Sequence, residues 1–156
     1  MEFKENVKTK IRRYENADFE PITRLWRRSR EVSLPEFQKE KGHPFEMDQW
    51  YFQEHILKEN NVLIAELNGQ RVGFLAMRED FIDQLYVDAD HWNQGIGRAL
   101  LNHARSASPQ HLWLFTLQVN HKARSFYQKS GFNAQKFGIS PPPELEPDVE
   151  YHWSPS

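Results

Sequence analysis

A glycine turn between a strand and a helix constrains this chain more than any other feature of its sequence. From Leu85 to Leu101, an apolar strand end leads into a turn with Gly95 and Gly97 and then directly into an amphipathic helix. Glycine accepts backbone conformations that other residues avoid, and it lets a bulky anion approach the backbone closely. The first N–H groups of a helix have no partner within the helix and lie at its positive end. The turn is therefore predicted to bind an anion such as pyrophosphate.

Two familiar phosphate-binding motifs do not fit this turn. A P-loop needs a Lys-Ser or Lys-Thr pair after its second glycine, and the chain has none there. A Rossmann fingerprint needs a small residue where Leu100 stands, and an acidic strand end about 20 residues later, where the chain has Trp113 and Phe115. The alternative is that the two glycines only shape the start of the helix, and a Gly-x-Gly pattern on its own favours this alternative.

The composition bounds the class of protein. The chain has 156 residues, enough for one domain with its own core, and we expect a single domain over 1–156. The formal net charge of -2 gives no basic face for nucleic acid. The absence of cysteine excludes disulfides, thiolate metal sites and cysteine nucleophiles, and it fits a reducing cytoplasm. With neither a signal peptide nor a run of roughly 20 apolar residues, we expect a soluble cytoplasmic protein without nucleic-acid or membrane partners.

The pattern of the first half predicts a strand at 11–14, a helix at 19–30, a loop at 31–44 and a second helix. The first helix has Ile22, Leu25, Trp26 and Ser29 on its inner face, and the second has Met47, Trp50 and Tyr51 on its own. Asn68-Gly69, between two apolar runs, indicates a hairpin, because both turn residues must accept positive φ.

The second half begins with a strand at 81–87 in strict alternation, so that Asp83, Leu85 and Val87 share a face. The inner stripe predicted for the following helix is Ile96, Ala99, Leu100, His103 and Ala104. The apolar stretch 111–119 is typical of a strand covered on both faces. A short helix then opens at Asn120 and closes at Gly131, and strands follow near 132–137 and 149–153. The order β α α β β β α β α β β indicates an α/β sheet protein.

The region from Ile82 to Phe132, about a third of the chain, resembles the GCN5-related N-acetyltransferase (GNAT) family. The residues that carry the resemblance are Leu85-Tyr86-Val87, Trp92-Asn93-Gln94-Gly95-Ile96-Gly97, Leu114 to Val119, Asn120, Ala123, Phe126-Tyr127 and Gly131-Phe132. The resemblance implies a mixed, mostly antiparallel central sheet flanked by helices, with two splayed central strands. It also implies an enzyme that moves an acetyl group from acetyl-coenzyme A directly to a primary amine of a small molecule, peptide or protein, without a metal.

The resemblance also implies where coenzyme A binds. The expected contacts are Leu85, Tyr86, Val87, Trp92, Asn93, Gln94, Gly95, Ile96, Gly97, Arg98 and Asn120. The pantetheine arm would dock beside the splayed strand like an added strand, and a backbone N–H near Leu85 would face the thioester oxygen. Trp92 departs from the family, which has Gln or Arg there; it either packs on the cofactor or shields the loop. An ordinary core strand is the alternative for 85–87, and a plain helix cap is the alternative for Asn120.

Tyr127 is, by the same resemblance, the general acid that returns a proton to the departing thiolate. A tyrosine titrates near ~10 and an alkyl thiol near ~8.5, so full transfer is uphill by about 2 kcal/mol and donation of a hydrogen bond is part of the role. The alternative is a core tyrosine on a short helix. The presence of Asn120 and Phe126 near Tyr127 favours the catalytic role over the structural one.

Asp83 is the candidate base. An alkylammonium with a pKa near ~10.4 costs about 4.6 kcal/mol to deprotonate at pH 7, so a proton acceptor is needed. Asp83 is predicted to point toward the thioester from the face of Leu85, and a buried salt bridge is an equally ordinary reason for its place in an apolar strand. Glu79 and Asp80 are the other candidates.

The acceptor itself cannot be read from the sequence. The family shapes its acceptor site with 31–48 and the C-terminal hairpin, where Glu144, Glu146 and Asp148 hint at a cationic acceptor. A non-catalytic acyl-CoA-binding or regulatory module on the same fold is the alternative function. The seven histidines show no metal-ligand spacing. The oligomeric state is open, although dimers through the terminal strands are common in the family.

Overall fold

The computed structural model describes residues 9–156 and contains one seven-stranded sheet. Its strands are β1 Lys10–Arg13, β2 Asn61–Leu67, β3 Gln70–Arg78, β4 Phe81–Val87, β5 Leu112–Leu117, β6 Asn133–Ile139 and β7 Pro147–Trp153. Their order in the sheet is β1-β2-β3-β4-β5-β7-β6. Neighbouring strands are antiparallel except β4 and β5, which are parallel. The predicted mixed, mostly antiparallel sheet is confirmed.

Helices cover both faces of the sheet. They are α1 Phe19–Ser33, α2 Pro35–Lys41, α3 Phe45–Tyr51, α4 Leu57–Glu59, α5 Ile96–Ala107 and α6 His121–Lys129, with a π-helical turn at Phe52–Ile56 between α3 and α4. One core lies under α1 and the π turn and contains Ile22, Trp26 and Phe52. The other lies under α5 and α6 and contains Leu100 and Tyr127. The sheet therefore separates two cores.

The turns have the backbone conformations that the sequence predicts. Asn68 and Gly69 both have positive φ and join β2 to β3. Gly95, with a φ of 83°, caps the start of α5, and Gly131, with a φ of 90°, follows α6. These positions could be predicted because the local backbone itself demands the residue type.

The loop predicted for 31–44 is wrong, because part of it forms α2. Pro35 is the first residue of that helix, a position where proline loses nothing and its φ already suits the helix. Gly42 follows its last turn, and its N–H donates to the Gln38 carbonyl. Proline and glycine here delimit a helix and do not exclude one.

The inner face predicted for α3 is also wrong. Met47, Trp50 and Tyr51 are 50%, 58% and 43% exposed, and the buried apolar residues are Phe52 and Ile56 in the π turn that follows. A π turn adds a residue to the helical repeat, so periodicity read from the α-helical part alone selects a different face. The three exposed residues instead line a cavity.

The strict alternation predicted for β4 is interrupted by a bulge. Ala76 pairs with Gln84 but Met77 pairs with Ile82, which leaves Asp83 as an extra residue. As a result Ile82 packs in the same core as Leu85, and Asp83 no longer follows the alternation that would place it on the face of Leu85.

Two smaller predictions need correction. The strand β5 is not covered on both faces, since Leu112 and Leu114 are buried but Phe115 is 47% exposed beside a cavity. On α5, Leu101 is fully buried and completes the inner stripe, whereas His103 is exposed. On β5, apolar character in the sequence therefore did not determine which face the helices cover.

A buried carboxylate ties the first strand to the sheet. Asp18 is fully buried, and its oxygens accept hydrogen bonds from Arg12 at 2.7 and 2.8 Å and from Arg71 at 2.5 Å. Burial alone would raise the pKa of Asp18, but the hydrogen bonds from the two guanidinium groups outweigh it and hold that pKa well below its usual value. The ion pairs therefore need the ionised form.

We expect Asp18→Ala to lower the free energy of unfolding by about 3 to 5 kcal/mol, because it leaves Arg71 without its carboxylate and Arg12 with Glu66 alone. Since the folded pKa is depressed, this stabilisation is complete above the unfolded pKa near ~3.9 and is lost as the pH falls below it. Glu20→Ala is the control, since its pair with Arg24 is exposed and contributes about 0.5 kcal/mol or less. Urea unfolding at pH 7 and pH 3 measures both, and equal losses at pH 7 would contradict the assignment.

Candidate active site

The two central parallel strands separate soon after they begin. β4 and β5 pair only at Phe81 and Trp113, which confirms the splay that the resemblance implies. Hydrogen-bonded positions alternate along an antiparallel pair, and Asp88 N donates to Val72 O at 2.8 Å. The backbone groups of Leu85 and Val87 are therefore directed away from β3 and toward the gap. An extended ligand can pair with this edge of β4.

The glycine turn closes one end of the gap, and its two glycines differ in purpose. Gly95 has a positive φ, and a Cβ placed there would meet nothing within 4 Å, so the backbone is open to a ligand. A Cβ on Gly97 would lie 3.2 Å from the Phe126 ring, so this glycine lets α5 approach α6 closely. The sequence pattern predicts that both glycines serve the anion; both line the cavity beside the turn, and Gly97 also packs closely against Phe126.

A cavity of about 970 Å³ lies along this turn, and we call it the glycine-turn cavity. Its lining includes every predicted coenzyme A contact from Leu85 to Asn120. The charged residues that line it are all cationic: Arg98, Arg105, Lys122 and Lys129. Backbone N–H groups at a helix start, four cations and no carboxylate suit a phosphate-rich ligand, so the residues present fit coenzyme A.

Trp92 holds the turn against the end of β4. Its indole Nε1 donates to the Val87 carbonyl at 2.9 Å, and the Lys122 ammonium group lies 3.7 Å from the centre of its ring. The ring is thus engaged in fixing the loop and in orienting a cation toward the cavity. Of the two roles left open by the sequence, the shielding one matches these contacts.

A second cavity, of about 1340 Å³, is lined mainly by residues of α2, α3 and the strands β4 to β7, and we call it the acidic cavity. Six carboxylates and only three cations other than histidine line it; the carboxylates are Glu40, Asp48, Asp83, Glu144, Asp148 and Glu150. Asp48 is neutralised by ion pairs with Arg27 and Arg30. The exposed apolar side chains of Met47, Trp50 and Tyr51 form part of its wall. This cavity suits a cationic group carried on an apolar chain.

The two cavities meet at the splay. Five residues line both of them: Leu85, Tyr86, Asn120, Ala123 and Tyr127. Tyr127 is only 6% exposed, and burial raises the pKa of its hydroxyl well above the usual value. Its side chain is therefore neutral at every physiological pH and available as a hydrogen-bond donor where the cavities join.

Asn120 caps the start of α6, which is the alternative role that the sequence left open for it. Its Oδ1 accepts a hydrogen bond from Ala123 N at 3.1 Å at the start of α6. Its amide NH₂ group is not used by this cap, and the side chain lines both cavities. One group of the side chain can cap the helix while the other faces a ligand.

Asp83 lines the acidic cavity and already has partners. Its Oδ2 accepts a hydrogen bond from Asn60 at 2.8 Å and lies 3.7 Å from Arg78. Of the other candidate bases, Glu79 lies in the turn before β4 with a φ of 51°, and Asp80 is bonded to His111 outside the cavity.

Sequence reasoning missed Glu150 and the aromatic wall of α3. Asp148, Glu150 and His152 alternate along β7 with the buried residues Val149 and Tyr151. That alternation was visible in the sequence and could have indicated a polar face on this strand. Only the sheet order brings this face next to the cavity.

The comparisons with known proteins agree with this geometry. The family model described as "Acetyltransferase (GNAT) domain" matches residues 58–134. The chain belongs to the GNAT family of acetyltransferases. Its class is that of N-acetyltransferases that use acetyl-coenzyme A as acetyl donor, and the non-catalytic alternative is not favoured.

Several relatives align with most of the chain, and two of them show the extent of the match. The Uncharacterized N-acetyltransferase YafP of Escherichia coli is 26% identical over 81% of this chain and 82% of its own length. The Peptidyl-lysine N-acetyltransferase YjaB of Salmonella typhimurium is 29% identical over 78% of this chain and 81% of its own. Among solved structures, apo YjaB from Escherichia coli superposes with a TM-score of 0.81 at 24% identity, covering 96% of this chain and 99% of that one. It shares the fold.

Two kinds of feature are absent from residues 9–156. No helix in that range combines the length and the apolar character needed to cross a membrane. Nor do three or more His, Cys, Asp or Glu side chains in that range come together as metal ligands would.

Proposed function

We propose that this chain, as a single domain, transfers an acetyl group from acetyl-coenzyme A to the side-chain amine of lysine residues in peptides or proteins. The observation that carries the proposal is the meeting of a cationic and an acidic cavity at Leu85 and Tyr127. A phosphate-rich donor and a cationic acceptor would each enter the cavity of opposite charge, and their reacting ends would meet at the splay.

The acceptor class is supported by two features. A lysine side chain has an apolar stem and a charged head. Met47, Trp50 and Tyr51 can cover such a stem, while Asp83 and the other carboxylates attract the head. The relative from Salmonella typhimurium is named for acetylation of peptidyl lysine.

The proposed roles in the site follow from position. Gly95 and the first N–H groups of α5 hold the pyrophosphate, Asn120 contacts the pantetheine arm, and the β4 edge at Leu85 pairs with it. When bound, acetyl-coenzyme A supplies the activated acetyl group. The Leu85 N–H and the Tyr127 hydroxyl donate hydrogen bonds to charge that develops on the thioester oxygen and sulfur. Asp83 is one proposed acceptor for the proton of the amine.

A peptide with a blocked N-terminus and a single lysine tests the acceptor. We expect it to gain one acetyl group on the lysine, at a rate at least about tenfold above that of the same peptide with norleucine in place of lysine. Thiol release and the mass of the product measure this. Reaction confined to free N-termini or to small amines would contradict the lysine proposal while leaving the acetyltransferase class intact.

We also propose a cytoplasmic location and a homodimer. The lack of cysteine supports a reducing compartment. β6 lies at the edge of the sheet, with Phe137 and Ile139 59% and 68% exposed, and this supports a contact through the terminal strands.

A further inference from the structure

A chain of four titratable side chains joins the acidic cavity to the protein surface. Glu150 Oε2 lies 2.7 Å from His152 Nε2, and His152 Nδ1 lies 2.8 Å from His111 Nε2. His111 Nδ1 in turn lies 2.8 Å from Asp80 Oδ2. Glu150 lines the cavity, whereas Asp80 lies outside it with 43% of its side chain exposed.

The chain is held in place by packing on three parts of the sheet. His152 stacks on Trp113 with ring centres 5.9 Å apart and an angle of 15°. The same indole donates from Nε1 to Asp80 Oδ1 at 3.1 Å. The turn before β4, the start of β5 and the end of β7 thus each contribute to its alignment.

Counting protons shows what the chain can do. Three hydrogen bonds need three protons, but two neutral imidazoles bring only two. With both carboxylates ionised, the chain is one proton short, and a proton arriving at Glu150 completes it. The hydrogen bond from His111 lowers the pKa of Asp80, so the far end is anionic and accepts a hydrogen bond.

The charged groups around Glu150 leave its carboxylate able to accept a proton. On β6 its cross-strand neighbour is Lys136, and on β5 it is Phe115. On its own strand the near charges are His152 and Asp148, and burial, with Glu150 nearby, raises the pKa of Asp148. Among the described residues, His152 is the only one that forms an ion pair with the Glu150 carboxylate.

We propose that Glu150 takes the proton of the acceptor's ammonium group and that His152, His111 and Asp80 carry it to water. The inference rests on the proposed transfer to an amine. An N–H bond of the ammonium breaks, its electron pair stays on nitrogen for attack, and the proton binds Glu150. It passes to His152 Nε2 as the Nδ1 proton of His152 moves to His111 Nε2.

The Nδ1 proton of His111 then moves to Asp80, which releases it to water. Both imidazoles regain their first tautomers by exchange with solvent, since their side chains are 35% and 27% exposed. The exit stays open while an acceptor fills the cavity, because Asp80 lies outside it. Asp83 is the alternative destination of the same proton, and its Oδ2 already accepts from Asn60.

The dependence of kcat/KM on pH decides between the two carboxylates. We expect Glu150→Gln to lower kcat/KM about 100-fold at neutral pH and to remove the acidic limb of the profile. Asp80→Asn, remote from the acceptor, should shift that limb with the KM for the acceptor unchanged. Glu66→Gln is the matched control, a strand glutamate with similar exposure that pairs with Arg12 away from both cavities, and it should keep the wild-type profile.

An acidic limb that survives in Glu150→Gln and vanishes in Asp83→Asn would overturn the proposal in favour of Asp83. Nitrogen-15 NMR of the histidines gives a reading that needs no turnover. His111 and His152 should titrate as a coupled pair, and Asp80→Asn should change the titration of His152; independent titration overturns the chain. A coupled titration in a protein that acetylates no amine would instead count against the proposed function.

Discussion

Tyr127→Phe should lower kcat about 100-fold or more while leaving the affinity for coenzyme A within about twofold. The substitution keeps the ring that packs in the core and removes only the hydroxyl where the two cavities meet. A group that acts on charge developing in the transition state contributes to kcat and little to ground-state binding. Steady-state rates by thiol release, with calorimetry of coenzyme A binding, measure the two effects.

The raised pKa of Tyr127 adds a second expectation. Because burial keeps the hydroxyl protonated well above pH 10, the wild-type rate should show no basic limb from this residue below about that pH. Tyr151→Phe is the control, since that tyrosine is fully buried, accepts from Arg124 at 3.1 Å and lines neither cavity. It should lose about 1 kcal/mol of stability and keep its kcat. A Tyr127→Phe protein that loses stability but no rate would make Tyr127 structural.

Gly95→Val should weaken coenzyme A binding about 100-fold. The side chain would occupy space that is empty in front of the turn and push the pyrophosphate from the N–H groups of α5. Losing two charge-assisted hydrogen bonds, at about 1.5 kcal/mol or more each, corresponds to that factor. Calorimetry with coenzyme A measures the loss, and the dephosphorylated pantetheine fragment should be nearly indifferent to the change.

Gly69→Val separates this effect from backbone strain. Gly69 also has a positive φ, at 76°, and a Cβ there would also meet nothing within 4 Å, but it lies in the β2–β3 hairpin. Both variants should lose comparable stability from the strained backbone, and only Gly95→Val should lose affinity. Equal affinity of the native protein for coenzyme A and for the pantetheine fragment would contradict the pyrophosphate assignment.

The parts of the fold that could be predicted are those set by nearby residues. The Asn68-Gly69 hairpin, the Gly95 turn and the Asn120 cap each depend on the backbone preferences of a few consecutive residues. The family resemblance added the splay of β4 and β5, which no local pattern contains. The error in α2 arose because proline and glycine delimit a helix there, and the error in α3 arose beside a π turn, which changes the helical repeat.

The site was decided by contacts between distant segments. The bulge that sets Asp83 apart depends on the register of β4 against β3. The meeting of two cavities of opposite charge depends on the place of α6 beside the splay. Asp80, His111 and His152 are far apart in the chain and become neighbours only because β5 lies between β4 and β7. Local sequence determined the glycine turn because its energetics are local, whereas the contacts among Asp80, His111 and His152 depend on distances that only sheet order sets.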